Sequence, residues 1–95
     1  MKIIYSKSVK EQLFRIKEHI SKDNRQIAIT HLKQIKSKIE ILGKYPYIGK
    51  VNTTLNNPKI RDFILLGYKI IYKINIKSIT ILSIYKYIDF DESLL

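Results

Sequence analysis

From Ile60 to Tyr87 the chain is dense in Ile, Leu and Tyr and is punctuated at Gly67 and at Asn75 to Ser78. Such β-favouring runs separated by turn residues predict three consecutive antiparallel strands, near Lys59 to Leu66, Tyr68 to Asn75 and Ser78 to Tyr87. In the middle strand Tyr68, Ile70, Tyr72 and Ile74 share one face, which leaves Lys69, Ile71 and Lys73 on the other. One face is thus expected to pack on helices and the opposite face to be basic. Upstream, Lys2 to Tyr5 is short, apolar and β-branched, and reads as a first strand that joins the same sheet.

The period then changes. Val9, Leu13, Ile16 and Ile20 recur at helical spacing behind a capping box formed by Ser8 and Glu11, which predicts an amphipathic helix ending near Lys22. Asp23 with Gln26 resembles a second capping box. Behind it Ala28, Leu32, Ile35, Ile39 and Leu42 repeat at helical spacing until Gly43 supplies a stop. Each helix has an apolar stripe and a lysine-rich face, so an antiparallel hairpin laid on the sheet buries both stripes. A single heptad-like seam also admits a coiled-coil dimer, although three heptads are few for one. The expected fold class is α+β: an N-terminal strand, then a helical hairpin packed on a mostly antiparallel sheet of three C-terminal strands plus the first strand.

Gly43 to Pro58 is long for a structureless connection, and reads as either a functional rim or, the favoured reading, an Ω-like segment anchored by Tyr45, Tyr47 and Ile48 around Pro46. His19 and His31 fall among polar helix positions, where solvated or capping roles are expected. With 95 residues and 45% hydrophobic content, the chain is expected to form one domain spanning 1–95. It has no cysteine, which excludes disulfides and thiolate metal sites and fits a reducing cytoplasm. No stretch reaches the roughly 18 apolar residues of a membrane span, and the apolar run at the N-terminus is short for a signal peptide. A soluble, cytoplasmic protein without membrane association is expected.

The formal charge of +10 changes this picture most, because such an excess favours a polyanionic or acidic partner. Residues 59–88 hold six basic side chains against one acid, and three acids, Asp89, Asp91 and Glu92, follow in a tail that reads as solvated. No Gly-rich phosphate loop, nucleophile elbow, paired carboxylates or metal-ligand cluster occurs, so neither a metal nor a cofactor is expected. What remains is a basic and aromatic surface of Arg61, Lys69, Lys73, Lys86, Tyr72, Tyr85 and Tyr87. Cations of this kind hold phosphate and stabilise charge on pentavalent phosphorus, while tyrosine rings stack on bases. A lysine serves as a base in metal-free RNA cleavage only where clustered cations depress its pKa.

The order strand, helical hairpin, three strands resembles the RelE/ParE superfamily of bacterial toxins. The likeness is carried by Gly67-Tyr68-Lys69-Ile70-Ile71-Tyr72-Lys73-Ile74 and Ile79-Thr80-Ile81-Leu82-Ser83-Ile84, by the Pro and Gly within Leu42 to Gly49, and by Arg61. It covers nearly the whole chain and implies the toxin of a type II toxin–antitoxin pair, held inactive in a hetero-oligomer by a cognate acidic antitoxin. In ribosome-dependent mRNA endonucleases of the superfamily a basic residue follows the strand-opening Tyr. Lys69 matches it, and implies a phosphate contact. Those enzymes also place His or Arg at the end of the last strand, where this chain reads Tyr85-Lys86-Tyr87-Ile88-Asp89. Lys69, Lys86 and Tyr87 are therefore the catalytic candidates if the protein is a ribonuclease, with Arg61, Lys73 and Tyr85 binding the target. The ParE-like branch, similar in its longer hairpin and Arg61, acts on DNA gyrase without that constellation and is the expected relative. A non-toxic nucleic-acid-binding module is the third reading, resting on charge.

Overall fold

The computed structural model describes residues 1–87. Its elements are β1 (Lys2–Tyr5), α1 (Lys7–Ser21), α2 (Arg25–Ile39), the one-turn helix α3 (Ile41–Lys44), β2 (Lys50–Asn52), β3 (Asn57–Leu65), β4 (Tyr68–Ile74) and β5 (Ser78–Lys86). The strands form one five-stranded sheet in the order β1-β5-β4-β3-β2. β1 runs parallel to β5, and every other pairing is antiparallel. The α+β architecture is the expected one, with β2 added inside the stretch predicted as a connection.

Both helix caps sit close to their predicted places but on other residues. The Ser6 side chain accepts from the Val9 backbone N–H at 3.2 Å, so α1 begins two residues before the Ser8 box. Asn24, in place of Asp23, accepts from the Ile27 N–H at 3.0 Å and opens α2. Either side chain satisfies one of the first-turn donors that a helix leaves unpaired. Gly43 does not stop α2; it lies within α3, where an added Cβ would stand 2.7 Å from the Met1 carbonyl oxygen. Its role is close approach to the start of β1.

One face of the sheet is covered by the hairpin. Val9 and Leu13 from α1, Ile35 and Ile39 from α2 and Leu42 meet Ile70, Tyr72, Ile79, Ile81 and Ile84 in a single buried cluster. Burying each such aliphatic side chain contributes roughly 1.5–3 kcal/mol, so these stripes explain why the helices lie where they do. The β3–β4 connection is a two-residue turn with Leu66 at φ 49° and Gly67 at φ 81°. Positive φ at both residues matches the twist of the flanking strands.

β5 departs from simple alternation. Opposite it, Ile71 pairs with Ser83 but Tyr72 pairs with Ile81, leaving Leu82 as an extra residue in a bulge. The Gln12 side chain of α1 occupies this irregularity. Its Oε1 accepts from the Ile84 N–H at 2.8 Å and its Nε2 donates to Ser83 Oγ at 3.3 Å. Past the bulge the phase reverses: Ile84 and Lys86 share the helix side with Ile79 and Ile81, while Tyr85 points to the open side.

Candidate functional site

Pairing register assigns every candidate to a face, because directly opposed residues of an antiparallel pair project to the same side. Lys69 lies between Ile64 and Tyr85, and Lys73 between Ile60 and Thr80, so both stand on the open face. Lys86 pairs with Tyr68 and Arg61 with Tyr72, which puts both on the helix side. The basic surface expected as one patch is therefore two, and Tyr72 belongs to neither, being fully buried.

Arg61 is engaged by its own fold. Its Nη1 donates to the Gly49 carbonyl at 2.9 Å, its Nε donates to the Pro58 carbonyl at 3.2 Å, and the guanidinium carbon stands 4.9 Å from the centre of the Tyr47 ring. Beside it the Tyr72 hydroxyl donates to the Pro46 carbonyl at 2.7 Å and accepts from the Gly49 N–H at 3.0 Å. A Cβ on Gly49 would meet the Asp62 carbonyl at 2.6 Å and the Tyr72 hydroxyl at 2.7 Å, so only glycine fits here. The 45–49 segment is thus held through its backbone by two side chains of the sheet. The expected anchors Tyr45, Tyr47 and Ile48 are instead exposed, since the carbonyls and N–H of a tight loop are nearer to the sheet than its side chains. Burial raises the Tyr72 phenol pKa, against the opposing pull of the Gly49 N–H and Arg61.

On the open face, Lys69 Nζ lies 3.5 Å from Asp62 Oδ2 and 5.5 Å from the centre of the Tyr87 ring. Asp62 is fixed in turn by Asn52, whose Nδ2 donates to Asp62 Oδ1 at 2.8 Å. Desolvation pulls the Lys69 ammonium down, but Asp62 and the Tyr85 hydroxyl outweigh it and leave the pKa above the ordinary lysine value. The structure thus brings Lys69, Tyr85 and Tyr87 together, with Asp62 as the residue missed in the sequence. Its signal was available: Asp62 is the one acid between residues 59 and 88. Lys86 is on the other side of the sheet. The open face of the sheet also carries Lys2, Ile4, Ile64, Ile71 and Lys73, apolar and basic at once. Ile88 and the tail acids Asp89, Asp91 and Glu92 lie outside the described residues.

Among the described residues no group of three His, Cys, Asp or Glu is placed to hold a metal, and no helix is long and apolar enough to cross a membrane. This combination of hairpin, mixed sheet and open basic face can bind a partner or an anion.

The ParE toxin of type II toxin–antitoxin systems, parDE, matches over residues 3–86. The chain belongs to the ParE toxin family. The match runs from the second residue of β1 to the last residue of β5, so it takes in both helices of the hairpin and all five strands but for Lys2. As a ParE-family toxin the chain has an antitoxin as partner, the other half of the pair that the family defines. In structure it is similar to a chain of the chromosomal ParDE TA system from P. aeruginosa, with a TM-score of 0.77 at 17% identity, covering 92% of this chain and 96% of that one. At that identity the likeness is one of fold. No curated protein matches the chain.

Proposed function

We propose that this ParE-family toxin arrests growth in the cytoplasm by inhibiting DNA gyrase, and that a cognate acidic antitoxin neutralises it as a hetero-oligomer. The observation that carries this reading is the division of the candidate ribonuclease residues between opposite faces of the sheet, Lys69 and Tyr87 on one and Lys86 on the other. A 2′-hydroxyl attack needs base, acid and charge stabiliser around one phosphate. A lysine held in its charged form by Asp62 is a poor base. The net charge of +10 supports an acidic antitoxin, and the uncovered face around Lys69 offers apolar and basic contacts to it.

Supercoiling by purified gyrase tests the proposal: the toxin is expected to inhibit it, and added antitoxin to restore it. Cleavage inside ribosome-bound codons in induced cells, with gyrase unaffected, would overturn it. The second reading, ribosome-dependent mRNA cleavage, is favoured by one specific grouping, a lysine flanked by Tyr85 and Tyr87. It requires Lys69→Ala with Lys86→Ala to abolish growth arrest, whereas gyrase inhibition that survives the double substitution excludes it.

A further inference from the structure

The helix side of the sheet carries a second cationic group, away from Lys69. A cleft of about 530 Å³ opens between the ends of the helical hairpin and the Leu66–Gly67 turn. Arg15, His19, His31 and Lys86 line it, with Asp23 as its single acid and Tyr68 as part of its wall. Three elements converge there. Arg15 and His19 are four residues apart on α1 and so share one helical face. His31 comes from α2, with its ring centre 5.7 Å from that of Tyr68 at an interplanar angle of 53°. Lys86 arrives because the β5 bulge turns it to the helix side.

We propose that this cleft binds a phosphomonoester dianion, either free phosphate or the terminal group of a mononucleotide. Lys69 with Asp62 is the one ion pair among the described residues, so Arg15 and Lys86 have no described carboxylate within ion-pair distance, and Asp23 is the one acid that shares the cleft with them. Like charges gathered in a concave site repel one another and focus field on whatever anion enters. The guanidinium fork of Arg15 suits two oxygens of one phosphate, and Lys86 supplies a point charge. A dianion answers the two cations Arg15 and Lys86 better than the single charge of a backbone phosphodiester, and the two imidazoles add ring nitrogens for hydrogen bonding. The volume falls in the range of small-molecule sites and exceeds what phosphate alone fills, leaving room for a nucleoside beside the half-buried His31. The site is independent of the gyrase reading, since none of its residues faces the open side.

The test follows the imidazole NMR signals of His19 and His31 in the full chain at constant ionic strength. Inorganic phosphate, adenosine 5′-monophosphate and a short oligonucleotide lacking terminal phosphates are titrated separately. Saturable shifts are expected with the first two. Tighter binding of the mononucleotide identifies a nucleotide as the source, and equal affinity identifies free phosphate. Arg15→Gln and Lys86→Gln are each expected to weaken binding roughly tenfold, as loss of one charge-assisted hydrogen bond does. Lys73→Gln on the opposite face is expected to leave it unchanged. Shifts that never saturate, equal weakening by Lys73→Gln, or an oligonucleotide that binds as tightly as the monoesters would overturn the proposal.

Discussion

Two cation-bearing regions of the same sheet contrast sharply in how they are held. On the helix side Arg61 and Tyr72, opposed across β3 and β4, make four hydrogen bonds to the backbone of Pro46, Gly49 and Pro58. On the open side Lys69 has a single carboxylate partner and a tyrosine ring, in a surface that no described element covers. A buried hydroxyl that satisfies loop backbone cannot be removed without orphaning the groups it served, whereas an ion pair near the surface exchanges readily for water. Arg61 and Lys69 looked alike in the sequence. The first is tied to architecture, and the second remains available to a partner.

The largest effect that would break this contrast is on stability. Tyr72→Phe keeps the ring in the core but leaves the Gly49 N–H and the Pro46 carbonyl without their partner, and is expected to cost about 2 kcal/mol. Urea unfolding measures it directly. Lys69→Gln in the same assay is expected to cost less, about 1 kcal/mol, the upper end for a partly covered ion pair. Equal losses would show that the two faces are not held differently.

Alkaline pH sharpens the comparison next. Burial, then the Glu40 carboxylate and the hydrogen bond to it, push the Tyr5 phenol up to about 12, and burial also raises Tyr68 and Tyr72. All three lie on the helix side. Folding favours their neutral form, so this stabilisation is complete below the unfolded value of 10.0 and is lost as pH rises through about 12. Lys69 adds a loss of the same sign, because its raised pKa means the fold favours the charged form. Urea midpoints are expected to fall as pH rises from the unfolded tyrosine value of 10.0 to about 12, and Tyr5→Phe is expected to flatten the fall more than Lys69→Gln does. The reverse order would place the pH-sensitive contacts on the open face.

These expectations mix residues that were legible in the sequence with ones that were not. The β4 alternation of Tyr68, Ile70, Tyr72 and Ile74 was read correctly, because those four residues are buried together and nothing interrupts their period. The helix stripes were readable for the same reason. Lys86 was not placed, because a strict period of two through β5 puts it on the side of Lys69. The extra residue at Leu82 reverses the phase, and what accommodates the bulge is Gln12, 72 residues away from the N–H it satisfies. A long-range side-chain contact of that kind leaves no local signal. β2 escaped for a related reason: three residues carry no period, and the strand exists by pairing with β3. The contacts of Arg61 with its own fold were not legible because its partners are backbone carbonyls, which every sequence has.

The smallest expected effect concerns Asp62, which separates structural from functional use of the open face. Asp62→Asn keeps an oxygen that accepts from Asn52 Nδ2 but removes the charge beside Lys69. The unfolding midpoint is then expected to move by less than about 1 kcal/mol. The Lys69 ammonium, titrated by NMR, is expected to drop, since desolvation acts to lower it and Asp62 is the first of the groups that hold it up. Lys69 thereby gains freedom to meet another anion, and the substituted toxin is expected to bind single-stranded RNA with a log-affinity against log-salt slope steeper by about 0.7, one additional phosphate. An unchanged slope with a lowered Lys69 pKa would mean that Lys69 faces its partner through something other than phosphate. A large loss of stability would mean that Asp62, like Arg61, is committed to holding the fold.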